Sequence, residues 1–279
     1  MGAVSIFRNR LFIIALPICA VLDTPKDMNG EAAFEKILHS VLYRDALMLV
    51  INKPYGVPVH RGPRNSLARN GQMSERTLTD DLPALRFGLP RVPELAHRLD
   101  RETSGCLVLG RHRKALERLG KLFSSNAVKK TYWAVVEGNP EADSGEIDLP
   151  LAPRDPDRGW WMKVDAAGQP SLTRWRVLKR AEGRCWLELE PVTGRTHQLR
   201  VHCAASGFPI LGDPIYGHAP RSGGPGLHLH ARAITVPLYP KREPIQVEAP
   251  LPEHMRVTLE NMGIAAEELE HFRFSPNRE

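Results

Sequence analysis

What most limits the fold of this chain is the spacing of its apolar runs. They are short, rich in strand-forming residues and closed by Gly, Pro, Asn or Asp, and they do not alternate regularly with helices. Val41 to Tyr43 and Leu47 to Asn52 are two such runs, separated by Arg44-Asp45. The second stops at Lys53-Pro54-Tyr55-Gly56, where proline and glycine impose a turn. Further strands are expected at Cys106 to Leu109, Lys129 to Glu137, Ser171 to Leu178, Arg184 to Glu190, Leu227 to Val236 and Ile245 to Ala249. Within Arg184 to Glu190, Cys185, Leu187 and Leu189 alternate with Trp186, Glu188 and Glu190, the period of a half-buried strand. Helical spacing is confined to Arg113 to Phe123, to Thr196 to Ser206 with Gly207 as its stop, and to Glu253 to Met262. This pattern predicts an α+β domain built on a largely antiparallel sheet.

One domain over 31–262 accommodates these elements, with 1–30 as an N-terminal extension and 263–279 as a C-terminal tail. Arg8 and Arg10 precede an apolar run, Leu11 to Leu22, that is too short to span a bilayer and is followed by no small-x-small cleavage site. An extension ahead of Met28, or an arm packed on the domain, is therefore expected in preference to export. Gly62 to Leu82 is polar and reads as a long surface loop. Asn139 to Gly168 is rich in Pro, Asp and Gly and offers little for a core. The four cysteines, Cys19, Cys106, Cys185 and Cys203, show no paired spacing, which suits a reducing cytoplasm and buried, unreactive thiols. A formal charge of +6 permits an anionic partner such as a nucleic acid without establishing one.

The densest chemistry lies in His97-Arg98-Leu99-Asp100-Arg101-Glu102-Thr103-Ser104-Gly105, just before a buried strand. Asp100 stands between two arginines in sequence, and their approach would favour an ionised, nucleophilic carboxylate. Alone, the triplet is more commonly an exposed salt bridge at a strand entrance. A second cluster, Gly194-Arg195-Thr196-His197-Gln198-Leu199-Arg200-Val201-His202, opens a helix from whose start an arginine could reach a carboxylate on another loop. His197 and His202 are five apart, and His228 and His230 share a strand face. Neither spacing matches a zinc pair, so no metal site is expected. Ser222-Gly223-Gly224-Pro225-Gly226 lacks the Lys-Ser/Thr ending of a P-loop and reads as a flexible loop.

Taken in order, these segments resemble the RluA family of RNA pseudouridine synthases. The resemblance rests on Asn52-Lys53-Pro54-x-Gly56, on His97-Arg98-Leu99-Asp100-x-x-Thr103-Ser104-Gly105, and on Lys130-x-Tyr132-x-Ala134-x-Val136-x-Gly138. It continues through Gly194-Arg195-x-His197-Gln198-Leu199-Arg200-x-His202 and Pro209-Ile210-Leu211-Gly212-Asp213-x-x-Tyr216. It implies a mixed, largely antiparallel sheet with flanking helices and a central catalytic cleft across it, and isomerisation of uridine without cofactor or metal. By matched position Asp100 would be the catalytic aspartate, Tyr132 would stack on the target base and act in proton transfer, and Arg195 would pair with Asp100. Arg98 would fill the space left by the flipped nucleotide, and Arg101, Lys53, His60, Lys130, His197 and Arg200 would contact RNA. The resemblance is to a compact form without an S4-like N-terminal domain, in which RNA selection would fall to the catalytic domain. A monomer acting on stem-loops of ribosomal or transfer RNA, away from any membrane, is expected. Two competing classes are a catalytically silent RNA-binding or ribosome-assembly protein of the same fold, and a glycoside hydrolase. The hydrolase would need a second acid opposite Asp100, and Glu102 is the only near candidate.

Overall fold

Bulky apolar side chains at consecutive rather than alternate positions produce strands covered on both faces, and such strands form the centre of this protein. The computed structural model describes residues 35–60, 76–155, 161–181 and 183–271. Its strands are β1 (Val41–Arg44), β2 (Met48–Lys53), β3 (Glu94–Leu95), β4 (Ser104–Gly110), β5 (Lys129–Glu137), β6 (Ser144–Asp148), β7 (Leu151–Pro153), β8 (Met162–Val164), β9 (Leu172–Ala181), β10 (Arg184–Pro191), β11 (Leu229–Val236) and β12 (Ile245–Glu248). The helices are α1 (35–39), α2 (Leu78–Asp81, continued by a 3-10 turn over Leu82–Arg86), α3 (Arg113–Ser124), α4 (Gln198–Ala205), α5 (Glu253–Asn261) and α6 (Ala266–His271).

Ten strands make one sheet in the order β1-β2-β4-β11-β5-β10-β9-β6, with β3 added to β4 and β12 to β11, while β7 and β8 form a separate hairpin. Among the described residues the pairings are antiparallel except at the centre, where β4 and β11 run parallel through Ser104–His230 and Gly105–Ala231. The fold is the expected α+β one, a mixed, mostly antiparallel sheet with flanking helices. On the β2–β4 side, Leu49, Ile51, Leu107 and Leu109 pack against Leu78, Leu82, Leu85 and Leu99. The opposite face, from Met48, Val50, Cys106 and Val108, receives Leu119 of α3. On the β5–β10 side, Ala134, Leu187 and Leu189 meet Leu199 and Cys203 of α4, while Trp133 and Trp186 meet Met255 and Leu259 of α5. Cys106, Cys185 and Cys203 are buried free thiols. No helix of the described residues is long and apolar enough to cross a membrane.

Several expectations change here. β10 is covered on both faces: Trp186 is 1% exposed and Glu188 is buried, its carboxylate accepting from Arg176 at 2.6 Å. The stretch Asn139 to Gly168 contains β6 and the β7–β8 hairpin, anchored by buried Ile147 and Leu151. At the end of the expected surface loop, Leu78 and Leu82 are core residues, and the rest of that loop, 62–75, lies outside the described residues. Ile264 and Leu269, in the expected tail, are buried with Met255 and Leu259. The expected N-terminal extension lies outside the described residues.

Candidate active site

The Asp100 loop is held largely by its backbone. Ala96 donates to Val108 O, and the Val108 N–H then donates to His97 Nε2 at 3.0 Å, so the imidazole takes the place of the next strand carbonyl. An accepting Nε2 means a neutral ring; burial, with the charge of Lys130, pushes the His97 pKa down to about 3. The ring stacks on Phe123 of α3 at 4.5 Å. Leu99 anchors the loop in the core, and Thr103 N–H closes the turn on Asp100 O at 3.1 Å. Next, Gly105 has φ +108°, and a Cβ there would lie 2.3 Å from Ala231 O, so only glycine lets β4 reach β11.

Lys53, expected to touch RNA, is fully buried and instead donates to Pro54 O at 2.8 Å and Arg101 O at 2.9 Å. It ties the Asn52-Lys53-Pro54 turn to the loop, and burial lowers its pKa to about 8 against the pull of Glu102 and Asp100. Arg101 lies on the same turn, donating from Nε to Gly56 O at 3.1 Å. Neither residue lines the cleft described below; His60 and Glu102 do not line it either.

The facing wall is built from side chains. His197 adopts φ +51°, so α4 begins at Gln198 rather than at Thr196. Gln198 Oε1 accepts from Thr193 Oγ1 at 2.7 Å and Arg195 N–H at 3.0 Å, while Nε2 donates to Leu172 O and Thr173 Oγ1. His202 Nε2 faces Leu149 O at 3.0 Å and must carry the proton. Thr173 Oγ1 therefore donates to Nδ1 at 2.9 Å. This network joins the turn before α4 to β9 and to the segment entering β7.

Arg200 and Asp213 complete the wall. Arg200 is 3% exposed and donates to both Asp213 oxygens, at 2.7 Å and 2.8 Å, a bidentate pair. Asp213 also accepts from Ile215 N–H and Tyr216 N–H. Burial alone would raise its pKa, but these bonds and the Arg200 charge hold it below the usual carboxylate range. The third guanidinium nitrogen, Nη1, lies 3.6 Å from Asp100 Oδ2, and His197 Nε2 lies 3.7 Å from the same oxygen. The family resemblance placed Arg195 against Asp100. In the structure Arg195 is exposed, precedes the helix and donates from Nε to Pro170 O at 3.2 Å. Arg200 takes the position beside Asp100 because α4 turns it inward.

Both walls line one cavity of about 460 Å³, with Arg98, Asp100, Lys130, Tyr132, Arg195 and His197 among its lining residues. That volume falls in the range of small-ligand sites. Arg98 is exposed at its edge. Tyr132 packs between the two halves of the core, and burial followed by the Asp100 charge raises its phenol pKa, so the hydroxyl stays protonated. Lys130 is half-buried, and burial lowers its pKa. Asp213 and Tyr216 belong to the Pro209–Tyr216 motif, where the pattern assigned them no role. Their signal was Arg200 itself, a guanidinium between Leu199 and Val201 on a helix whose core face needs a buried acid.

One cleft thus holds a carboxylate, an aromatic ring among its lining and a buried arginine beside the carboxylate. The profile of the RNA pseudouridylate synthase family matches residues 47–205. An uncharacterized RNA pseudouridine synthase of Zymomonas mobilis is 44% identical over 215 residues, covering 76% of this chain and 94% of that one. Ribosomal large subunit pseudouridine synthase C of Haemophilus ducreyi is 34% identical, covering 88% and 77% respectively. The solved structure of human RNA pseudouridylate synthase domain containing 4 superposes with a TM-score of 0.68 at 28% identity, over 85% of this chain and 97% of that one. The chain belongs to the RNA pseudouridylate synthase family, and its activity is that of an isomerase, an RNA pseudouridine synthase.

Proposed function

We propose that this enzyme isomerises specific uridines in stem-loops of ribosomal or transfer RNA, with Asp100 as its catalytic carboxylate. The observation that carries the reading is the convergence on Asp100 Oδ2 of buried Arg200 and His197 within the cavity that Tyr132 also lines. A uridine inside a helix or structured loop must leave the stack before its glycosidic bond is reachable. In this scheme Arg98, at the cleft edge, fills the vacated space and Tyr132 offers the flipped base a stacking surface. Asp100 attacks C1′ or removes the C2′ proton, and the N1–C1′ bond breaks. The freed uracil rotates and C5 bonds to C1′, with the Asp100–C1′ bond breaking on the first route and C2′ regaining its proton on the second; C5 then loses its proton and N1 takes one up. Arg200 takes the pairing role first assigned to Arg195. Arg195 remains a cleft cation for phosphate, together with Lys130. The enzyme acts as a cytoplasmic monomer; its scattered free thiols suit a reducing compartment.

The test is tritium release from cellular RNA labelled at uridine C5. Release by the wild type, none by Asp100→Ala, and RNA affinity unchanged within about threefold are expected, since the substitution removes chemistry rather than phosphate contacts. Turnover by the Asp100→Ala protein would remove Asp100 from the mechanism. Loss of free uracil from the RNA would instead indicate hydrolysis.

A further inference from the structure

Tyr216 has no part in the scheme above, yet it lies one residue from Asp100. Its Oη is 2.9 Å from the backbone N of Met162, the first residue of β8, and 2.9 Å from His197 Nδ1. The Met162 N–H can only donate, so Oη accepts there. Among the described residues the one acceptor left for the phenol proton is His197 Nδ1. An accepting Nδ1 puts the imidazole proton on Nε2, which faces Asp100 Oδ2 at 3.7 Å. The opposite tautomer would set a lone pair against the carboxylate and leave the phenol proton without that acceptor. The ring is further held edge-on to Tyr216, with centroids 5.6 Å apart, and the Arg200 guanidinium lies 5.3 Å from the Tyr216 ring.

We propose that Tyr216 is a positioning residue for the isomerisation: anchored by the Met162 N–H, its hydroxyl selects the His197 tautomer that presents Nε2–H to Asp100. The selection links the β7–β8 hairpin to the carboxylate through two hydrogen bonds, although the hairpin lies outside the main sheet. It rests on Asp100 being the catalytic carboxylate. Burial works in the same direction, raising the Tyr216 pKa so that the phenol keeps its proton and lowering that of His197 so that the ring stays neutral.

The tautomer can be read without turnover, from the imidazole ¹⁵N shifts of the full-length protein, with His197→Gln used to assign the signal. The Nε2–H form is expected in the wild type and a mixture in Tyr216→Phe. In single-turnover tritium release from uridine-labelled bulk RNA at saturating enzyme, Tyr216→Phe should be slowed roughly tenfold, about the worth of one neutral hydrogen bond. Its RNA affinity should stay within about twofold, because no phosphate contact is lost. His197→Gln, whose amide can still offer a hydrogen to Asp100, should outpace His197→Ala. An Nδ1–H tautomer in the wild type, an unchanged rate in Tyr216→Phe, or a rate loss matched by lost affinity overturns the proposal. If Asp100→Ala turns over while the Nε2–H assignment stands, the catalytic reading fails and the tautomer selection does not.

Discussion

On the Asp100 side of the cleft the contacts close on main-chain atoms: the Lys53 ammonium grips two carbonyls, Thr103 N–H closes on Asp100 O, and Gly105 slides against Ala231. On the Arg200 side the work is done by side chains, with Arg200 bound to Asp213, and Gln198, Thr173 and His202 sharing ordered protons. The first arrangement presents Asp100 on a loop with its carboxylate 27% exposed and ready for substrate. The second buries a permanent cation behind it. A loop made this way should tolerate loss of its functional carboxylate but not an added methyl group at the glycine. The facing wall should respond in the opposite sense, failing when one polar group is deleted.

The largest expected effect is therefore on the side-chain wall. Arg200→Met leaves the Asp213 carboxylate buried without its cation, a loss of about 3–5 kcal/mol in folding stability by analogy with other broken buried pairs. Adding Asp213→Asn should restore at least about 1 kcal/mol, since it removes the stranded charge. Asp100→Ala, by contrast, should stay within about 1 kcal/mol of wild type, because its carboxylate is partly exposed and Arg200 keeps Asp213. Urea titrations of the three proteins decide this. Equal losses for Arg200→Met and Asp100→Ala would erase the distinction between the walls.

Next in size is the glycine. Gly105→Ala must take φ +108° with a Cβ 2.3 Å from Ala231 O, so either β4 and β11 separate or the backbone moves. A loss of about 3 kcal/mol is expected from strain and overpacking together. For a domain of this size that corresponds to a fall of roughly 6–12 °C in Tm. A Tm within about 2 °C of wild type would mean that the parallel contact is softer than the geometry requires.

The same contrast explains what could be read from the amino-acid order. Backbone-held features leave a local mark: a glycine before an apolar strand, Asn-Lys-Pro-x-Gly closing another, an aspartate between arginines. The main strands and the Asp100 loop were accordingly legible. Which arginine meets Asp100 was not, because the answer depends on the left-handed conformation at His197. That one residue delays α4, leaves Arg195 outside and turns Arg200 toward Asp213, and helical periodicity carries no trace of it. The β7–β8 hairpin was missed for a different reason. Its stretch is poor in apolar residues, and the buried Leu151 lies among prolines and aspartates. Trp186 looked solvent-facing because the cover on that side of β10, α5, comes from the far end of the chain, and Glu188 because its partner Arg176 lies on the neighbouring strand.

The last contrast concerns how the main-chain wall answers to acid, with the smallest change per step of the measurement. His230 is fully buried where β11 meets β4, with Ser104 Oγ at 2.8 Å from Nδ1 and Ala249 O at 3.3 Å from Nε2. The carbonyl takes the Nε2 proton, the serine donates to Nδ1, and the ring is neutral. Burial pushes its pKa down to about 3, whereas in the unfolded chain it takes a proton near the ordinary value of 6.5. The folded state is thus fully favoured above that value. As pH falls from about 6.5 toward 3, this ring should lower stability by about 1.4 kcal/mol per pH unit. His228 adds a parallel loss on the other half, down to its own pKa of about 4. Denaturant titrations between about pH 4.5 and 6 should therefore show a slope shallower by about 1.4 kcal/mol per unit in His230→Asn than in the wild type. That comparison is independent of whatever the substitution costs at neutral pH, because only the slope reports the ring. Equal slopes would show that His230 takes its proton in the folded state, and that the Ser104 junction beneath the Asp100 loop opens to admit it.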